Sequence, residues 1–483
     1  MAVPNHPQQY INGAWREGGS SAVLENHNPF NQELIQRYQG ASAQDLNDAV
    51  AAAKTAQKAW QRTTQREKSQ KMLALAQVLE HRQADLYDIL RAECGSVDLK
   101  CGAEFYGTLD HIRMAAHFPY QMDGKIIRSE MAQARNNYII KKPKGVIGVI
   151  APWNFPFLLA MRSVAPAVAT GNAVVLRPST TTPASAFFIA ELFDEAGFPP
   201  GVVNVISGLS TEIGDALVTH PDIALISFTG STEVGRHIGE LCGKHLKDVS
   251  LELGGNSSLC VLPDADLKQA AKAAIWGSYC HAGQICMAVN RVIVHQDVYA
   301  EFVDLAVQAA LAVKVGDPAD KAVFLGPLTT AQQVQQVEAT IAQTIAAGAT
   351  VALEGKTEGQ LMYPWVLSDV SNDMLAAKCE LFGPVCSILP ASSEQEMLDM
   401  ANATDYGLSS AVFSGDIYRG MQFAQNIETG MVFVNDQSIN EEAHIIFGGE
   451  KDSGIGRFNG QWVVDKFTTE QRIGVQEEDR VYF

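Results

Sequence analysis

The sequence predicts an α/β protein of two doubly wound parallel-sheet units, with a β-ribbon belonging to neither core. Three observations carry that expectation. From Val146 onward, short apolar runs alternate with helical segments, the pattern of a parallel sheet covered on both faces. After Gly255 the alternation begins again. Between Tyr120 and Lys144 it breaks into two extended runs, Gly124 to Met131 and Ala134 to Lys142, joined by a polar turn.

Residues 1–40 hold short strand-like pieces interrupted by Asn, Gly and Pro, such as Tyr10 to Trp15. From Ala43 to about Ala116 the chain reads as helix. Asp45 to Ala59 is rich in alanine, and Glu67 to Leu90 repeats apolar residues every three or four positions, a face suited to covering a sheet. Cys94 and Cys101 fall in or near this region and read as structural. Strands of the first unit are expected at Val146 to Ile150, Ala173 to Leu176, Val202 to Ile206 and Ile223 to Phe228. Its helices are expected at Leu158 to Ala169, Pro183 to Ala196 and Thr211 to Thr219. In such sheets ligands sit at the carboxyl ends of the strands.

The second unit carries expected helices at Leu267 to Trp276, Tyr299 to Leu311 and Gln332 to Ala347. Its expected strands include Arg291 to His295, Val351 to Leu353, Leu408 to Phe413 and Gly430 to Val434. Trp462 to Val475 reads as β again and is expected to join the ribbon. No internal repeat or low-complexity tract interrupts the pattern.

Composition narrows the function classes. With 36 basic against 54 acidic residues, the formal charge is −18. Such a surface repels phosphate backbones and anionic membranes, so no nucleic acid or membrane partner is expected. A chain of 483 residues with 47% hydrophobic residues is long and apolar enough to bury large cores. Its eight cysteines form no CxxC pair and no Cys/His zinc spacing, so they are expected as reduced thiols in a cytoplasmic protein with no metal. The start, MAVPNHPQQY, lacks a basic segment followed by an apolar one, and no apolar run nears the roughly 20 residues that cross a bilayer.

Chemistry concentrates at the ends of strand-like segments. Cys286 sits in GSYCHAGQICMAVN, among small and amide residues just before a strand. Glu252 ends an apolar run in LELGGN, Asn154 lies in the turn PWNFP, and FTGSTEVG is a strand, a glycine turn and a helix start. Singly, each has a plain structural reading: a core cysteine, a salt-bridged carboxylate, a turn-stabilising amide, a helix-start glycine. Together a thiol, a carboxylate, an amide and a phosphate-type turn form a candidate site.

These motifs, in this order and spacing, resemble the aldehyde dehydrogenase superfamily over nearly the whole chain. The resemblance implies that Cys286 attacks an aldehyde, that Asn154 and the backbone N–H of Cys286 hold the oxyanion, and that Glu252 activates water to release a free acid. It implies a cofactor site drawn from Pro152, Trp153, Gly230, Ser231, Gly235 and Gly254. Glu380 and Phe382 of ELFGPV join that site at the nicotinamide ribose. It also implies Arg177, Ser179 and Thr180, where the family usually has Lys-Pro-Ser-Glu. Arg177 brings a donor fork suited to phosphate, and Thr180 lacks the carboxylate that would repel a 2′-phosphate, so NADP+ is expected to be accepted along with NAD+.

The resemblance further implies a dinucleotide-binding domain (1–119 and 144–253), a catalytic domain (254–457) and an oligomerisation arm (120–143 and 458–483) that makes a homodimer or homotetramer. The stretch after PWNFP, with Arg457-Phe458 in place of Arg-Glu, is similar to the benzaldehyde, vanillin and salicylaldehyde dehydrogenase branch. An apolar slot for a flat aldehyde is expected from Phe155, Phe157, Met161, Arg162, Ile285, Met287 and Phe447. Aliphatic or semialdehyde oxidation is the alternative within the family. An inactive binding relative and a cysteine hydrolase are the alternatives outside that activity.

Overall fold

The computed structural model describes residues 8–482; the reading of the start MAVPNHPQQY as lacking a leader pattern falls largely on residues 1–7, outside the described residues, whereas Tyr10 to Trp15 falls on the paired strands Gln9–Ile11 and Ala14–Arg16. Two large sheets organise the chain. The first has eight strands. Its parallel centre runs Val203–Val205, Ala173–Arg177, Val146–Ile150, Ile223–Thr229 and Asp248–Glu252 in spatial order. Val146–Ile150 comes first in the chain among these five and lies in the middle, with later strands added first on one side and then on the other. That reversal leaves a crevice at the carboxyl ends, where residues 151–154, Gly230 and Leu253 emerge. Val146–Ile150 and Ala173–Arg177 are buried at every position, which is why they read as continuous apolar runs and not as alternation.

The second sheet has seven strands, six of them parallel: Trp365–Ser368, Val385–Ala391, Val289–His295, Ser257–Val261, Ser409–Phe413 and Met431–Val434. Thr350–Leu353 adds antiparallel to its edge. Strands at Asp248–Glu252, Ser257–Val261, Trp365–Ser368 and Val385–Ala391 add to those anticipated. The short pair Gly454–Ile455 returns to the first sheet beside Leu251 and Glu252.

The helical amino-terminal region has sharp local signals. Ser42 caps Ala43–Trp60 in a box with Asp45, and Thr64 caps Gln65–His81. Their buried faces carry Leu46, Val50, Met72, Leu75 and Leu79.

The ribbon is a three-stranded antiparallel sheet in which Arg135–Pro143 pairs with Lys125–Arg128 on one side and Thr468–Gln476 on the other. The expected strand from Trp462 begins later than anticipated, because Trp462–Phe467 is helix. Val463, Val464 and Phe467 are buried on one helical face, and the adjacent valines had suggested a strand. Thr211 to Thr219 is also not one helix, since a π-type turn at Ser210–Gly214 precedes Asp215–Thr219. Among the described residues no helix is long and apolar enough to cross a membrane.

Candidate active site

Asn154 lies between the strand Val146–Ile150 and the helix Pro156–Ala169, which opens on proline. The amide is buried, and its Nδ2 donates to the Gln284 carbonyl at 2.9 Å. One N–H of that amide therefore ties the turn to the loop bearing Cys286. The helix start is held from a different helix: Glu104 Oε2 accepts from the N–H groups of Phe157 (3.0 Å) and Leu158 (2.9 Å). Its other oxygen is bound by Lys100, and both side chains are fully buried.

The cysteine loop is shaped by backbone strain. His281, Ala282 and Gly283 have φ of 49°, 54° and 74°, three left-handed residues in succession, two of them with a side chain. Gly283 has no room for more: a Cβ there would lie 2.2 Å from the Gly383 carbonyl oxygen. Gln284 pins the loop through Oε1, which accepts from the Thr329 N–H at 2.8 Å, and Ser438 Oγ donates to the Met287 carbonyl at 2.6 Å. Cys286 then sits in a turn closed by Ala288 N–H to Ile285 O at 2.9 Å. Burial pushes its thiol up to about 12, reinforced by the nearby charges of Glu380 and Glu252 and opposed by Arg162.

Glu252 is the last residue of its strand and is 3% exposed. Both of its carboxylate oxygens are buried without a hydrogen-bond partner. Burial raises its pKa to about 7, with Arg162 and Lys466 pulling the other way. Glycine at 448 (φ +146°) leaves space beside it, since even a Cβ there would come within 3.3 Å of Oε1. A buried carboxylate with no partner and a pKa near neutrality is suited to exchanging a proton with a transient occupant.

Two cavities meet at the thiol. The larger, about 1100 Å³, is lined among others by Tyr106, Phe155, Leu158, Trp276, Ile285 and Met287, with Phe447 and Glu441 also on its wall. The smaller, about 280 Å³, is lined by Pro152, Trp153, Gly230, Ser231, Gly254, Glu380 and Phe382 among others. Cys286, Asn154 and Leu159 line both.

The smaller cavity fits the nicotinamide end of a dinucleotide by its donor set. Ser231 caps the helix Thr232–Lys244 and so presents a helix N-terminus after Gly230. Glu380 accepts the Gly255 N–H at 3.0 Å, and burial pushes its carboxyl up to about 7. A Cβ on Gly254 would stand 2.7 Å from Glu380 Oε2, so glycine there keeps the carboxylate free. Trp153 and Phe382 meet edge to face at 5.5 Å.

Some expected residues are elsewhere. Phe157 and Met161 are fully buried and line neither cavity; Phe157 packs on Phe188 at 6.0 Å. The Pro156–Ala169 helix is buried all round, and its cavity side presents Leu158 and Leu159 instead. Arg162 stands behind the cavity wall, its guanidinium 4.4 Å from the Phe447 ring and 4.8 Å from Phe458. Gly235 packs the helix onto the strand end, where a Cβ would lie 2.3 Å from Leu253 Cδ2. Arg177 is buried and directs Nη2 to the Gly208 carbonyl (3.2 Å) and the Ser210 hydroxyl (2.6 Å). It lines neither cavity, and neither do the partly exposed Ser179 and Thr180. Other lining residues carried no signal in the sequence: Gln333 and Gln336 on the smaller cavity, His111 and Glu441 on the larger. Among the described residues no group of three His, Cys, Asp or Glu side chains is placed to hold a metal.

The sequence profile of the aldehyde dehydrogenase family matches residues 15–473, and the chain belongs to that family. Benzaldehyde dehydrogenase YfmT of Bacillus subtilis is 43% identical over 476 residues, 98% of each chain. A vanillin dehydrogenase of Corynebacterium glutamicum is 44% identical over 469 residues, 96% of this chain and 97% of the other. Among solved structures, an NAD-dependent benzaldehyde dehydrogenase from Corynebacterium glutamicum superposes with a TM-score of 0.90 at 40% identity, covering 100% of this chain and 99% of that one.

Proposed function

We propose that this chain oxidises aromatic aldehydes, of the benzaldehyde and vanillin kind, to carboxylic acids with NAD+ or NADP+. The observation that carries the reading is that Cys286 and Asn154 line both cavities, so one thiol faces a largely apolar chamber and a dinucleotide-type crevice at once. The names of the similar proteins support the aromatic class.

In this reading Cys286 Sγ attacks the aldehyde carbon, a C–S bond forms, and the carbonyl oxygen becomes an oxyanion. Cys286 attacks as its thiolate, and Glu252, with a pKa of about 7, acts afterwards on water. Asn154 has a second amide N–H beyond the one given to Gln284, and with the Cys286 N–H it meets the developing charge. One such donor contributes about 3–4 kcal/mol. Bound nicotinamide supplies the hydride acceptor. Glu252 then takes a proton from the water that attacks the thioester carbon, and the Cys286 thiolate leaves. Glu380 and Phe382 hold the nicotinamide ribose end.

Burial of Arg177 removes one of the two grounds for a 2′-phosphate preference, and the absent carboxylate at Thr180 remains, so both cofactors are admitted. The unit around the first sheet binds the cofactor, and the unit around the second carries the thiol. The ribbon, which exposes Ile126, Ile127, Ile473 and Val475, joins copies into a dimer or tetramer. Eight free cysteines fit a reducing, cytoplasmic setting. Measuring kcat/KM across benzaldehyde, vanillin, hexanal and succinic semialdehyde, each with NAD+ and NADP+, tests the reading. Ring aldehydes should lead by tenfold or more; a lead for either aliphatic aldehyde overturns it.

A further inference from the structure

Four carboxylates line the larger cavity, Asp98, Asp110, Glu441 and Glu442, and of these Glu441 is the one that a buried guanidinium, that of Arg162, holds in place. Glu441 lines the wall beside His111, with Cys286 on the same cavity. Its carboxylate is fixed on one oxygen only: Oε1 accepts from Arg162 Nη1 at 3.3 Å and lies 3.2 Å from His111 Nε2. Arg162 is 2% exposed and is itself clamped between the rings of Phe447 and Phe458. Glu441 thus cannot swing away without stranding a buried guanidinium. Arg162 also keeps it ionised, holding its carboxyl down at about 2. Oε2 carries neither of these contacts.

We infer that Glu441 Oε2 accepts a hydrogen bond from a donor on the substrate ring, so that the preferred substrates are hydroxylated aromatic aldehydes. The inference rests on the aromatic reading above and sharpens it. A fixed anion in a largely apolar chamber strongly favours a partner with an O–H over one without, because the alternative leaves a desolvated charge facing a C–H or methyl group. A methoxy group at the same position accepts but cannot donate. The contact discriminates hydroxyl from methoxyl, a distinction that ring size and shape alone make weakly.

The experiment compares kcat/KM for benzaldehyde, for its ortho-, meta- and para-hydroxy derivatives and for the three methoxy counterparts, with hexanal alongside. For at least one ring position the hydroxy compound is expected to exceed its methoxy partner by roughly 10- to 100-fold. Glu441→Gln should reduce that ratio to within a few-fold, and Glu441→Asp should recover part of it; thermal melting of each variant reports whether it is folded. Where Glu441→Gln fails to fold, Glu441→Asp decides, and a hydroxy preference unchanged in a folded variant overturns the contact. Oxidation of benzaldehyde with no hydroxy preference at any position overturns the Glu441 contact and leaves the aromatic reading standing. Oxidation of hexanal with none of the ring aldehydes overturns both.

Discussion

Gly255 lies so close beneath the cysteine turn that a Cβ on it would sit 2.1 Å from the carbonyl oxygen of Cys286. Leu408 Cβ closes the other side at 3.4 Å, so neither neighbour offers a flexible end that can yield. The two glycines of LELGGN thus have separate tasks, Gly254 beside Glu380 and Gly255 beneath the Cys286 turn. Gly255→Ala should destabilise the protein by about 1–3 kcal/mol through overpacking. It should also lower kcat by more than tenfold, because the displaced backbone bears both the thiol and the N–H proposed above to meet the oxyanion. Thermal melting and steady-state rates check this; a variant with wild-type kcat would show that the turn tolerates displacement.

Glu252 has two consequences that can be read separately. In Glu252→Gln the acyl-enzyme should form and then stall, giving a burst of reduced cofactor of about one per site and a steady state at least 100-fold slower. Stopped-flow absorbance separates the phases, and undiminished turnover would remove Glu252 from water activation. The second consequence concerns stability. Folding raises this carboxyl from its ordinary 4.5 to about 7, so the folded state holds the extra proton between those values. Burying the charge has no effect below pH 4.5 and destabilises increasingly up to pH 7, by about 3 kcal/mol at most. Glu252→Gln should therefore melt higher than wild type at pH 8, with the gap closing toward pH 5.

Much of this was legible in the sequence, for a physical reason. Strands buried on both faces, such as Val146–Ile150, leave short apolar runs, and the turns between them need Gly and Pro at fixed places. The slot residues were harder. Phe157 and Leu158 are neighbours on a helix buried all round, so no apolar stripe tells which of them faces the cavity. His111 and Glu441 are 330 positions apart, and Arg177 finds its carbonyl partner 31 positions on; such pairings exist only once the chain has folded. The valines of Trp462–Phe467 carried the wrong signal, since their β propensity yields to the packing of one helical face.

The free thiol should be sluggish toward small electrophiles in the absence of cofactor. With its pKa pushed up to about 12, the thiolate fraction of Cys286 rises about tenfold per pH unit between 8 and 10. Iodoacetamide modification of the cofactor-free protein, followed site by site by mass spectrometry, should show that slope with no plateau. A plateau near pH 8 would mean that burial does not hold the Cys286 thiol protonated in the cofactor-free protein.

The pair Lys100 and Glu104 reaches the chemistry from behind. Both are buried on one helix, four residues apart, and Glu104 holds the first N–H groups of the helix that follows Asn154. The Lys100 ammonium in turn lies 4.8 Å from the centre of the Phe155 ring, on the wall of the larger cavity. Glu104→Gln keeps an oxygen for the helix but turns an amide donor toward the ammonium, leaving a buried cation uncompensated. That should destabilise by about 3–5 kcal/mol. Lys100→Met in the same chain removes the stranded charge and should restore most of the loss, giving a coupling energy of at least about 2 kcal/mol in a double-mutant cycle. The kinetic readout separates support of the turn from bulk stability. In the folded double variant the helix start is less rigidly held, so Asn154 should drift from the oxyanion and kcat should fall while KM changes little. A double variant with full kcat would mean that the Gln284 carbonyl alone fixes the amide.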